Sequence, residues 1–136
     1  MADSSFLSNR LDRAAAPLLV GDLLALIVML TVGTLNHTSV GFITANPLYL
    51  PGVYAPFLIA WALIAPVVGA YSAGAAETAK SSVPLAIRSW IPAAVVGLGL
   101  RAFVFRGGAE VSFAVVMLVA GSVFLGGWRA LYFRLR

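Results

Sequence analysis

Four long apolar stretches, Pro17–Leu35, Ala55–Tyr71, Leu85–Phe105 and Val111–Leu131, fill most of the chain and are separated by short, more polar breaks. Each is close to the ~20 residues a helix needs to cross a hydrocarbon core. The pattern predicts an all-α, polytopic membrane protein with four transmembrane helices. Residues 1–16 then form a cytoplasmic N-terminal segment, residues 17–131 the four-helix transmembrane domain, and residues 132–136 a cytoplasmic basic tail.

Prolines punctuate this pattern. Pro17, Pro56 and Pro84 fall at the predicted starts of spans, where a missing N–H matters least. Pro66 and Pro92 fall inside spans, remove the donors to the carbonyls of Ala62 and Arg88, and mark expected kinks. The link Asn36–Tyr54 has no Lys, Arg, Asp or Glu and carries Phe42, Ile43, Leu48, Tyr49 and Leu50. It is expected to lie in the membrane interface or to fold as a short cap over the bundle.

Charge orients the spans. Arg10, Arg13, Lys80, Arg88, Arg129, Arg134 and Arg136 fall on one side, against Arg101 and Arg106 on the other. The positive-inside rule makes the richer side cytoplasmic, so both termini are inside and the expected location is the plasma membrane. A cleaved signal peptide fits less well, because the first apolar stretch is too long for one and contains Asp22.

Composition points the same way: 61% hydrophobic and 10% charged, against about 45–50% and about 25% in soluble domains. The basic residues cluster at span ends, which implies contact with membrane lipids rather than with nucleic acid. With no Cys and one His, thiolate chemistry is excluded and no metal site or cofactor is expected. Trp90, Trp128 and Tyr132 are expected in the interfacial aromatic belt.

An ionisable residue inside a span is a functional candidate whose partner has to be found. At ~100° per residue, Asp22, Met29, Gly33, Asn36 and His37 share a face of the first helix. Trp90, Ala94, Gly97 and Arg101 share one on the third, and Leu118, Ser122, Leu125 and Arg129 one on the fourth. Matching depths predicts an inner polar layer of Asp22 with Arg129, with Arg88 as a further member. An outer layer would join Asn36 and His37 to Arg101. Gly33, Ala93 and Gly97 are candidate helix-packing positions, since small residues let backbones approach.

Short runs along the chain carry a family resemblance. They are Asp22 in GDLLAL, Gly33–His37, Pro56–Trp61 (PFLIAW), Val96-Gly97 followed by Leu100-Arg101, and Trp128-Arg129. In order and spacing these resemble the domain of unknown function 3054 family of small prokaryotic integral membrane proteins, over about residues 17–131. Ala60 stands where the family usually has Gly. The resemblance implies a membrane protein with no assigned reaction, and marks Asp22, His37, Arg101 and Arg129 as the residues that carry it.

No nucleophile–base pair, His-Glu-x-x-His or phosphate-binding Gly loop is present, so no enzymatic activity is expected. The leading functional expectation is a small bundle that transports or senses a solute, ion or proton along an internal polar path. The alternative is a structural or accessory subunit in which the same residues act as helix clasps. A bundle this thin would carry a path as a homo-oligomer, and the clasp reading admits a membrane-protein partner.

Overall fold

The computed structural model describes residues 9–105 and 110–136. Arg106, counted above on the less basic side, and the first eight residues lie outside the described residues. The described chain forms α1 (Ala16–Leu35), a short α2 (Val40–Ala45), α3 (Tyr49–Val68), α4 (Ala79–Phe103) and α5 (Val111–Leu135). Among the described residues, α1, α3, α4 and α5 are long and apolar enough to cross a membrane.

Two spans begin earlier than the apolar runs suggested. α3 starts at Tyr49 rather than Ala55, with Pro51 in its first turn and Pro56 in its interior. α4 starts at Ala79 rather than Leu85, so Pro84 is also interior. For α4 the physical reason is capping: the Thr78 hydroxyl accepts from the Ser81 N–H and starts the helix within a polar Ala-Lys-Ser-Ser turn that hydropathy passes over. The helices continue through Pro66 and Pro92. The link between α1 and α3 contains exposed α2, capped by Ser39, with Phe42 edge-on to Tyr49 at 5.1 Å.

The four spans close in a ring. α3 with α4 and α4 with α5 pack most extensively, α5 with α1 less, and α1 with α3 least. α1 and α4 stand on a diagonal. α3 ends in a left-handed Gly69 (φ 104°), and the N–H groups of Gly69 and Ala70 both reach the Ala65 carbonyl. The chain segment before α1 lies against the turn that follows. Asp12 N–H donates to the Tyr71 carbonyl at 2.8 Å, and Arg10 Nη1 donates to the Val68 carbonyl at the helix end. At the same end, Arg136 Nη1 donates to the Ala76 carbonyl.

Aromatic rings seated on glycines set the packing. Phe57, Trp61 and Trp90 form the centre, with ring centroids 6.1 Å (Phe57–Trp90) and 6.4 Å (Trp61–Trp90) apart. A Cβ at Gly97 would overlap Phe57, one at Gly121 would overlap Trp90, and one at Gly21 would overlap Trp128. Trp90 is therefore a core residue and not part of an interfacial belt. Its indole N–H donates to the Met117 carbonyl of α5 at 2.9 Å. Ala93 is buried as well, so two of the three small-residue candidates lie in helix contacts.

Gly33 does not. It is exposed, with open space where a Cβ would stand. The buried seam of α1 runs Leu18, Asp22, Leu26, Leu30, Thr34, in steps of four. Such a ridge drifts ~40° per step around a straight helix, so a residue in phase with Asp22 at one end has left the contact at the other.

Gly121→Ala should drive Trp90 out of position and lower stability by about 1–3 kcal/mol, as overpacked cores do. Gly127→Ala, which meets open space, should be neutral or slightly stabilising. Denaturant unfolding in detergent checks the pair, and equal effects would contradict this packing.

Candidate functional site

The polar centre of the bundle lies near the end where α1 begins and α5 finishes. Asp22 is six residues into α1 from Ala16, and Arg129 six residues from the end of α5 at Leu135. At 1.5 Å per residue both lie about 9 Å from the helix ends, and so at one depth. Both are fully buried and form an ion pair. The guanidinium fork is bidentate: Nε donates to Oδ1 at 3.1 Å and Nη2 to Oδ2 at 2.5 Å.

Two further donors complete the carboxylate. The Tyr71 hydroxyl donates to Oδ2 at 2.7 Å and the Trp128 indole N–H to Oδ1 at 3.0 Å. Asp22 thus accepts four hydrogen bonds, about the full capacity of a carboxylate. The Tyr71 oxygen in turn accepts from the Trp61 indole at 2.6 Å. Arg129 Nη1 donates to the Ser82 carbonyl at 3.3 Å and to the Ser82 hydroxyl at 3.2 Å, and its guanidinium lies 5.5 Å from the Tyr71 ring centroid. One cluster therefore ties α1, α3, the turn after it, α4 and α5 together. Among the described residues, no buried side-chain N or O is left without a partner.

Tyr71 lies outside the spans, in the turn after α3. Burial first, and then the charge of Asp22, push its phenol well above the ordinary value of 10.0. It stays protonated and keeps its proton for Asp22.

The other predicted positions are elsewhere. Asn36 and His37 are exposed in the turn after α1, where the His37 N–H donates to the Thr34 carbonyl. Arg101 lies over the Phe113 ring, 4.5 Å from its centroid. The expected contact between these two groups fails because α1 and α4 are diagonal, so equal depth does not make their residues neighbours. Ser122 Oγ donates to the Leu118 carbonyl of its own helix. Arg88 is exposed, and Ser82 takes the place assigned to it. Trp128, expected in the aromatic belt, is instead a ligand of Asp22.

Sequence reasoning missed Trp61, Tyr71 and Ser82. Tyr71 closes an apolar run and reads as an interfacial residue. Its role depends on the Gly69 turn, which folds the chain back beneath the bundle. Also missed was a second tie between α1 and α3. The Thr31 hydroxyl donates to the Ile27 carbonyl at 2.7 Å, leaving its oxygen to accept from Tyr54.

The profile of a family described as protein of unknown function (DUF3054) matches residues 19–132. The chain belongs to the DUF3054 family. That match spans every residue of the cluster from Asp22 to Arg129. Neither the curated proteins nor the solved structures compared with this DUF3054 member gave a match.

Asp22→Asn and Arg129→Gln should each cost about 3–5 kcal/mol, since each leaves a buried partner unsatisfied. The double change should cost clearly less than the sum. Denaturant unfolding of the four proteins checks this, and strict additivity would contradict the pairing. Tyr71 adds a pH signature. Because its folded value is raised, its contribution is present below about pH 10 and is lost as pH rises beyond that. Tyr71→Phe should flatten the alkaline fall in unfolding stability, and an unchanged fall would count against this environment.

Proposed function

We propose that this DUF3054 member is a non-enzymatic structural or accessory protein of the plasma membrane, in which the Asp22–Arg129 cluster clasps the spans together. The observation that supports this reading is the saturation of Asp22. Its four acceptor positions are taken by Arg129 (twice), Tyr71 and Trp128, all within the chain. A carboxylate that relays protons or binds a travelling ion needs a lone pair open to it, and needs water or a second titratable group beside it. Here the groups bonded to it are one indole, a permanently charged guanidinium and the Tyr71 phenol, which burial holds in its protonated form.

The basic end of the bundle is cytoplasmic in this proposal. Arg10, Arg13, Lys80, Arg134 and Arg136 gather there, with the start of α1, the end of α5 and the 69–78 turn. Such an excess of Lys and Arg is retained on the cytoplasmic side. The clasp then lies in the inner leaflet, and α2 on the outer surface.

Because the chain has no native Cys, single cysteines report topology cleanly. Asn46→Cys should react with an impermeant maleimide added outside intact cells, and Glu77→Cys only after permeabilisation. The reverse pattern would overturn the orientation. For the clasp itself, proteoliposomes under a potassium-valinomycin potential should show no proton uptake above empty liposomes. Uptake that Asp22→Asn abolishes would replace the clasp with a path.

A further inference from the structure

The weakest seam of the ring, between α1 and α3, is not fully closed. A groove of about 350 Å³ lies along it at the basic end, lined by Leu11, Ala16, Leu19, Leu23, Ala62 and Pro66, with Trp61 and Tyr71 at its back. It exists because the α3 wall is built from Ala62 and Pro66, whose side chains do not fill the space opposite Ala16, Leu19 and Leu23 of α1. Ala16, Ala62 and Pro66 cannot reach the opposite wall, and Ala16, Leu19 and Ala62 are exposed at its edge. From Ala16 to Leu23 the groove follows α1 for roughly 10 Å. It runs along the helix axis, from the basic end of the bundle toward its middle. Almost all of its wall is hydrocarbon. Its one carboxylate, Asp12, accepts from the Ala14 N–H as the cap of the turn leading into α1.

We propose that this groove holds one acyl chain of an anionic phospholipid, with the phosphate drawn to Arg13 at its mouth. Three features single out this occupant. The direction is that of a lipid tail standing in a leaflet, whereas a second protein helix would need a long, shallow face. The wall is apolar to the depth of Trp61 and carries charge only at the end. That end is net basic, with Arg10, Arg13, Lys80, Arg134 and Arg136 outnumbering Asp12 and Glu77, so it complements a phosphate and favours an anionic headgroup over a zwitterionic one. Arg13 is exposed in the 3₁₀ turn Arg13–Ala15, between the groove-lining residues Asp12 and Ala16. The groove shares Trp61 and Tyr71 with the cluster as its back wall but is not lined by Asp22, Arg129 or Ser82, so the inference goes beyond the clasp and does not depend on what the ion pair does.

The test is lipid retention. The full chain is mixed with equal amounts of phosphatidylglycerol and phosphatidylcholine in detergent, repurified, and its bound lipid counted by mass spectrometry. Wild type should keep about one phosphatidylglycerol per chain, at about fivefold or more over phosphatidylcholine. Arg13→Gln should keep lipid but lose about fivefold of that preference, the scale of one basic residue at a membrane surface. Ala62→Leu and Ala16→Leu, which fill the groove from exposed positions, should each cut retention at least fivefold while helicity and unfolding midpoint stay at wild-type values. The proposal is overturned if wild type shows no headgroup preference, or if both filled variants retain lipid as wild type does. It is also overturned if the protein is a dimer that Ala62→Leu dissociates, which would make a second copy the occupant.

Discussion

The bundle depends on one buried ion pair. Taking a carboxylate and a guanidinium out of water is costly, and in a membrane the penalty falls on any arrangement that leaves either one short of partners. Asp22 and Arg129 meet that demand jointly and almost completely. The consequence is geometric. A bidentate fork fixes the two side chains in plane and distance, so α1 and α5 are held in register. Tyr71, Trp128, Trp61 and Ser82 then have defined places because the carboxylate and guanidinium have remaining positions to fill.

Much of the surrounding structure serves that arrangement. Gly21, next to Asp22, leaves room for the Trp128 ring, so the indole can lie flat on α1 and still reach the carboxylate. Gly69 turns the chain sharply after α3 and delivers Tyr71 beneath it. The segment before α1 pairs its Asp12 N–H with the Tyr71 carbonyl, while the Tyr71 hydroxyl faces Asp22. Tyr71 is thus held from both sides, and the turn that carries it belongs to the core. The bonds that converge on Asp22 and Arg129 all lie in the inner half of the bundle. In the outer half, the described contacts include rings seated on glycines, the Tyr54–Thr31 contact and Arg101 over the Phe113 ring.

What was legible in the sequence follows from which physics is local. Four helices could be read from length and hydropathy alone, and Asp22 with Arg129 from charge and depth, because an unpaired charge at that depth is so unfavourable. Helix starts were less legible: the Thr78 cap and the Pro51 first turn extend α4 and α3 beyond their apolar runs. The expected meeting of His37 with Arg101 assumed that spans at equal depth are neighbours, and ring order is not written in any one helix. Gly33 shows the same limit within a helix, where the drift of a four-residue ridge moves the contact off the predicted face. Tyr71 and Ser82 were hidden because tyrosine and serine near a span end have bland uses everywhere, and only the folded turn gives them this one.

The central claim is that the polar cluster is a closed, dry clasp. Hydrogen exchange at the three indole N–H groups tests it most directly, by nuclear magnetic resonance in micelles after transfer to deuterium oxide. Trp90, bonded to the Met117 carbonyl in the core, serves as the internal standard of protection. The account predicts that the Trp61 indole, held on the Tyr71 hydroxyl, exchanges as slowly as that of Trp90, and that Trp128 is also protected while it is bonded to Asp22. Loss of the Trp61 and Trp128 signals at the first time point, with Trp90 still protected, would mean that water reaches the cluster and would contradict it.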